Sequence, residues 1–166
     1  MVYSGFQQEV YENKLRRGFN VTDLGKELNL MTEELGELSD ACISNSHDDI
    51  VDAVGDLMVY CLGLSAMFKW DADDIILSDV QHPVRRENII NYVPYVAREL
   101  GFIAKAYKKS NKLAVDSLDN RDLFMEHIGK LMGYCDAMFE VVQASGVSVL
   151  ESIIHNNRTR THQGKM

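Results

Sequence analysis

Apolar residues recur every three or four positions along most of the chain, which is the spacing of one face of an α-helix. No segment shows the strict alternation of apolar and polar residues that is typical of a half-buried strand. The first amphipathic segment covers about residues 7–17 and stops at Gly18, after which Asn20 is suited to cap the next helix. The pattern therefore predicts an all-α fold.

Two long apolar stripes follow the first segment, one reaching about Ile43 and one beginning after the polar turn at residues 44–47. Both have the same 4-3-4-3-4 spacing. The first stripe contains Leu24, Leu28, Met31, Leu35, Leu38 and Cys42, and the second contains Ile50, Val54, Leu57, Cys61, Leu64 and Phe68. Ser46 with Asp49 resembles a capping box with Asp in place of Glu, and Asp71 is predicted to cap a short helix through Leu77.

Both stripes occur again in the second half of the chain. Adding 65 to the first six positions and 74 to the second six gives apolar residues at all twelve places, and residues 55–61 match residues 129–135 at five of seven positions. This repetition predicts a tandem duplication of a helical hairpin, and two hairpins together form a four-helix-bundle core. Pro94 in the second copy implies either a kink or a helix start.

The domain organisation follows from this duplication. We expect one domain over residues 1–166, with repeat one at about 7–80, repeat two at about 85–157 and a basic tail at 158–166.

The chain carries 17 basic and 25 acidic residues, and its net charge of −8 argues against nucleic acid or an anionic membrane as a partner. The three cysteines lack a C-x-x-C pair and the first residues do not resemble a signal peptide, so we expect reduced thiols and a cytoplasmic location.

Acidic residues cluster on the two helices of repeat one. Three of them share a face of the first long helix, namely Glu33, Glu34 and Glu37, and three share a face of the next helix, namely Asp49, Asp52 and Asp56. In a helical hairpin these two faces can meet. Asp56 lies at the start of a nearly all-apolar segment, where a buried acid needs a partner, and converging acids repel one another unless a cation lies between them. Oxygen-only ligands favour Mg²⁺ or Mn²⁺, so the residues predict a helical Mg²⁺ site that presents a metal to phosphates.

Repeat two has lost most of these acids. The places of Glu33, Glu37, Asp40 and Asp56 are taken by Arg98, Phe102, Lys105 and Lys130, while Glu99 and Glu126 match Glu34 and Asp52. We therefore expect no metal in repeat two.

The segment from Thr32 to Leu38, followed by residues 52–57, resembles the MazG-like all-α nucleoside triphosphate pyrophosphohydrolases, whose signature is E-E-x-x-E and then E-x-x-D on the next helix. Glu34, Glu37 and Asp56 match this signature directly. Ala53 stands where the signature has its second-helix Glu, and Asp52 looks like the substitute, which leaves the number of metal ions open. The resemblance covers residues 7–80 well, and the end of repeat two is similar to the family's basic C-terminal end.

The resemblance implies hydrolysis of a (d)NTP to the monophosphate and pyrophosphate, with Mg²⁺, or alternatively Mn²⁺, as cofactor. It implies Glu34, Glu37, Asp52 and Asp56 as metal ligands. The residue types leave Glu33 or Glu37 as the group that accepts the proton of the attacking water. Arg158, Arg160 and Lys165 are the candidates for holding the outgoing phosphates.

Two other functions fit the same sequence: a catalytically reduced nucleotide-binding protein and a purely structural helical module. The base, the sugar and the physiological role are open.

The helices from Ile50 to Phe68 and from Phe124 to Val142 are more apolar than one four-helix layer needs. We therefore expect Tyr60, Met67, Tyr134 and Met138 to contribute to a homodimer interface.

Overall fold

The computed structural model describes residues 2–109 and 120–159, and in these ranges it contains α-helices, one short 3-10 helix and no strand. The helices are α1 (Tyr3–Arg17), α2 (Leu24–Ser44), α3 (His47–Met67), α4 (Ala72–Ile75), α5 (Val93–Lys109), α6 (Arg121–Val141) and α7 (Gly146–Thr159), and the 3-10 helix spans Ile89–Tyr92. The predicted all-α fold is confirmed.

Four helices form the core, as the duplication predicts. α2 packs on α3 and α5 packs on α6, and the two hairpins meet through the contacts of α3 with α6 and of α2 with α5. Helices α1 and α7 pack on α3 from outside the four-helix layer and also contact each other. Helix α3 is therefore surrounded by α1, α2, α6 and α7, which explains why it is apolar on nearly every side.

The helix ends correct the sequence interpretation in several places. Gly18 ends α1 with a φ of 65°, as predicted, but the cap of α2 is Asp23, whose carboxylate accepts a hydrogen bond from the backbone of Lys26. Asn20 does not cap because its side chain is used inside the loop. Ser46 is the N-cap residue of α3, yet it bonds to the side chain of Asp49 rather than to the helix backbone.

Three further helix boundaries either settle an alternative that the sequence left open or differ from the prediction. Pro94 is the second residue of α5, so it marks a helix start and not a kink. Helix α4 ends at Ile75 instead of Leu77, because the backbone N–H of Leu77 donates to the carbonyl of Gly129 on α6. Helix α7 extends through Arg158, which lies in a helical turn and not in a separate tail.

The exposed apolar interface predicted on α3 and α6 is absent from the part of the chain that the structure describes. Met67, Tyr134 and Met138 are all buried within one chain, and Tyr60 is half-buried. The expected excess of apolar surface is covered by α1, by α7 and by the segment after α4. Helix α3 is long and apolar enough to span a membrane, but two-thirds of its most apolar stretch is buried in this fold.

The homodimer itself stays a prediction, although the apolar surface from which it was inferred is largely buried within one chain. Static light scattering at micromolar concentration measures it directly. Because one chain has a mass of 18.8 kDa, a homodimer gives a mass about twice that value, and a mass equal to that of one chain contradicts the prediction.

Candidate active site

Helices α2 and α3 bring five acidic residues of repeat one together, with Glu34 at the centre and four others around it. The four carboxylates that act on Glu34 belong to Asp56, Glu37, Glu33 and Asp52. Two of the four come from α2 and two from α3, so the predicted meeting of the two acidic faces is present. We call these five side chains the acidic cleft.

Glu34 is the innermost member of the acidic cleft. Desolvation, and then the negative charges of Asp56, Glu37, Glu33 and Asp52, raise its pKa from an ordinary 4.5 to about 8. Its Oε2 atom is buried and has no hydrogen-bond partner in the part of the chain that the structure describes. A buried carboxylate oxygen without a donor is costly unless the carboxyl group is protonated or a cation lies beside it.

The other acids of the cleft are more accessible. Glu33, Glu37 and Asp52 are exposed, and Asp56 is half-buried. Across residues 2–109 and 120–159, no three His, Cys, Asp or Glu side chains are arranged closely enough to hold a metal ion as they stand. The carboxylates thus surround Glu34 without forming a closed coordination shell. The assignment of Glu34, Glu37, Asp52 and Asp56 as ligands, and of Glu33 and Glu37 as proton acceptors, stays a prediction.

Tyr60 lies one helical turn after Asp56 on α3 and borders the acidic cleft. Desolvation and the charges of Glu34, Glu27, Asp56 and Glu33 raise the pKa of its phenol. The phenol of Tyr60 is therefore close enough to interact electrostatically with both the acidic cleft and a second charged group around Glu27.

This second group is a buried network that sequence reasoning missed. The Nζ atom of Lys14 on α1 lies 2.5 Å from Oε2 of Glu27 on α2, and both side chains are almost fully buried. Oε1 of Glu27 accepts a hydrogen bond of 2.9 Å from the side chain of Asn20. Lys14 Nζ also lies 5.7 Å from the centre of the Tyr60 ring. A Cβ on Gly63 would come within 3.1 Å of Lys14 Cε, so this glycine leaves room for the lysine.

Repeat two replaces acid repulsion with ion pairs at the matching place. Glu99, which corresponds to Glu34, accepts a hydrogen bond of 3.0 Å from Nε of Arg98, and its other oxygen lies 2.7 Å from Nδ1 of His127. His127 stands at the place of Ala53. Lys130 pairs with Glu126 one helical turn away. The buried acid of repeat two is thus already paired with side chains, and the expectation that no metal binds there stays a prediction.

The predicted phosphate-binding residues divide into two groups. Arg158 lies in the last turn of α7, and its Nη2 atom donates to Oε2 of Glu9 on α1 at 2.8 Å. Its guanidinium is thus already paired with an acid outside the acidic cleft. Arg160 and Lys165 lie outside the described residues, so their predicted role is not tested.

Comparison with known protein families gives a match over the first repeat. The family model for phosphoribosyl-ATP pyrophosphohydrolase matches residues 6–81, a range that includes most of α1 and all of α2, α3 and α4, and therefore the whole acidic cleft. No curated protein and no solved structure matches the chain.

Proposed function

We propose that the protein is a Mg²⁺-dependent (d)NTP pyrophosphohydrolase, because its first repeat matches the phosphoribosyl-ATP pyrophosphohydrolase family, which lies in the MazG-like all-α nucleoside triphosphate pyrophosphohydrolase superfamily. The resemblance inferred from the sequence is confirmed at the level of this superfamily. This match supports a pyrophosphohydrolase, a hydrolase of phosphoric anhydride bonds. The (d)NTP substrate, the metal and a cytoplasmic site of action are the further steps of the proposal.

The observation that carries the proposal is the state of Glu34. A half-buried carboxylate with an unpartnered oxygen, faced by four other acids, is unfavourable without a cation. Glu34, Glu37, Asp52 and Asp56 would hold Mg²⁺, because a carboxylate-only donor set suits a hard divalent ion. When bound, Mg²⁺ supplies charge neutralisation for the phosphates and makes water more acidic.

The remaining steps belong to side chains of the chain itself. Water attacks the α-phosphorus, the bond from that phosphorus to the α–β bridging oxygen breaks, and the products are a monophosphate and pyrophosphate. Glu33 or Glu37, both exposed at the acidic cleft, accepts the proton that the water loses. Basic side chains of the C-terminal end, with Arg160 and Lys165 as candidates, hold the leaving pyrophosphate.

A substrate panel tests this proposal. The four dNTPs, the four NTPs and phosphoribosyl-ATP are each incubated with the protein and Mg²⁺, and pyrophosphate and monophosphate are measured separately. We expect Mg²⁺-dependent release from at least one (d)NTP, and none with EDTA. Activity on phosphoribosyl-ATP alone would keep the reaction class and contradict the (d)NTP substrate. Binding of a nucleotide without release of pyrophosphate or monophosphate would support the alternative of a catalytically reduced nucleotide-binding protein.

Stability gives a second, independent prediction because the pKa of Glu34 is raised on folding. The folded protein binds a proton that the unfolded chain releases, so stability without metal falls as pH rises from about 4.5 to about 8. Bound Mg²⁺ takes over the role of that proton at high pH. We therefore expect Mg²⁺ to raise the melting temperature by several degrees at pH 8 and by much less at pH 5.5. Thermal unfolding with Mg²⁺ or EDTA at both pH values measures this, and equal shifts at the two pH values would contradict it.

A further inference from the structure

The buried pair of Lys14 and Glu27 has no role in the reaction described above. Ion pairs removed from water gain little stability, since the cost of desolvating two charges cancels most of their attraction. An apolar pair of the same size would fill this space between α1, α2 and α3 equally well. The arrangement of the pair's hydrogen bonds indicates what the charges do instead.

Glu27 uses its two oxygens for two different partners. Its Oε2 atom accepts a hydrogen bond from Nζ of Lys14, and its Oε1 atom accepts one from Nδ2 of Asn20. Asn20 in turn closes the loop between α1 and α2: its Oδ1 accepts from the backbone of Thr22 at 3.2 Å and of Asp23 at 2.8 Å, and its Nδ2 donates to the carbonyl of Asp23 at 2.6 Å. Glu27 therefore ties the α1–α2 loop, residues 18–23, to α2.

The Lys14–Glu27 pair to which the α1–α2 loop is bonded is linked to the acidic cleft through Tyr60. Lys14 is positioned over the Tyr60 ring, and Tyr60 borders the cleft. The loop carries Phe19, which is 41% exposed and lies 4.4 Å from the guanidinium of Arg17. Arg17 also donates to the carbonyl of Asn157 on α7. Arg17, the residue before the loop, thus joins the end of α1 to α7.

We propose that Glu27 is a positioning residue for the nucleotide: through its hydrogen bond with Asn20 it fixes the α1–α2 loop near the acidic cleft. This inference rests on the proposed function, because it assigns the network to binding of the same nucleotide. A loop fixed before the nucleotide arrives loses less conformational freedom on binding, so the network strengthens affinity without touching the reacting atoms.

Two double variants separate this role from a purely structural one. K14M/E27M replaces the ion pair by an apolar pair of similar size, so stability stays near that of the wild type. Asn20 then loses its acceptor on α2 and keeps only the carbonyl of Asp23 within the loop. K14M/E27Q also removes both charges, yet the amide that replaces the carboxylate keeps an oxygen that can accept from Asn20. The surface pair of repeat two provides the matched control K130M/E126M, with the same residue changes far from the loop.

The measurement is the dissociation constant of the α,β-imido analogues of the four dNTPs with Mg²⁺, together with the melting temperature of each protein. We expect K14M/E27M to bind the preferred analogue about tenfold more weakly. K14M/E27Q and the control should bind it within about threefold of the wild type, because the acceptor for Asn20 remains in both.

Two results among the variants would overturn the positioning role. One is a loss of affinity that simply parallels the loss of melting temperature across the variants. The other is an equal loss of affinity in K14M/E27M and K14M/E27Q. The same is true if the wild type binds none of the analogues. Pyrophosphate release by the wild type is read separately from natural dNTPs. The expected affinity pattern without such release would support the positioning role and contradict only the proposed hydrolysis.

Discussion

Glu34→Gln is expected to abolish pyrophosphate release while making the metal-free protein more stable. The substitution keeps the size of the side chain and removes the charge that four neighbouring acids oppose. Loss of a metal ligand at the centre of the site should lower turnover by at least about 100-fold. Stability in EDTA at pH 8 should rise by about 1–2 kcal/mol, a value that allows for solvent screening at this partly exposed group.

Glu99→Gln in repeat two is the matched control for this experiment. Glu99 occupies the corresponding position but is already paired with Arg98 and His127. Its neutralisation should therefore destabilise the protein, by about 1–3 kcal/mol, and leave turnover within about twofold. Turnover rates measured with Mg²⁺ compare the activities, and thermal unfolding measured in EDTA compares the stabilities. The assignment of the site would be wrong if Glu34→Gln kept its activity or lost stability as Glu99→Gln does.

Gly133→Ala is expected to have the largest effect on stability. The segment after α4 crosses α6 with its backbone in contact with two glycines, and a Cβ at position 133 would lie 1.9 Å from the carbonyl oxygen of Leu77. At Gly129 the corresponding distance, to the carbonyl oxygen of Ile75, is 2.0 Å. Backbone cannot move aside as the end of a side chain can, so the segment must detach locally. We expect a loss of about 3 kcal/mol or more in the free energy of unfolding.

Gly101→Ala provides the control of opposite sign. Gly101 lies inside α5 with nothing within 4 Å of the added Cβ, so alanine should stabilise the helix by about 0.5–1 kcal/mol. Urea unfolding of both variants measures the difference. An equal effect of the two substitutions would show that the contact between residues 75–80 and α6 does not limit stability.

Much of the fold and the acidic cleft could be predicted because both follow from helical periodicity. The apolar stripes place the four core helices, and the same spacing places Glu34 and Asp56 on faces that meet. The duplication then separates scaffold from chemistry, since Glu99 remains while Lys130 replaces an acid. Repeat positions that differ also carry information: Gly133 stands where repeat one has Val59. That difference is the signal for the backbone contact on α6, although it does not identify the segment that makes the contact.

The buried network could not be predicted from the same spacing. Lys14 and Glu27 each occupy a position at which a charged residue of an amphipathic helix is usually solvated. Only the packing of α1 against α3, at a place kept open by Gly63, buries them together. Likewise, Asn20 and Asp23 are equally good cap residues by type, and the choice between them depends on the position of Glu27.

The most direct test of the central claim is the stoichiometry of products from the preferred (d)NTP under single-turnover conditions. We expect one monophosphate and one pyrophosphate for each triphosphate consumed, in a reaction that stops in EDTA and that Glu37→Gln prevents without unfolding the protein. Release of orthophosphate, or product formation that continues in EDTA or in Glu37→Gln, would contradict the proposed reaction.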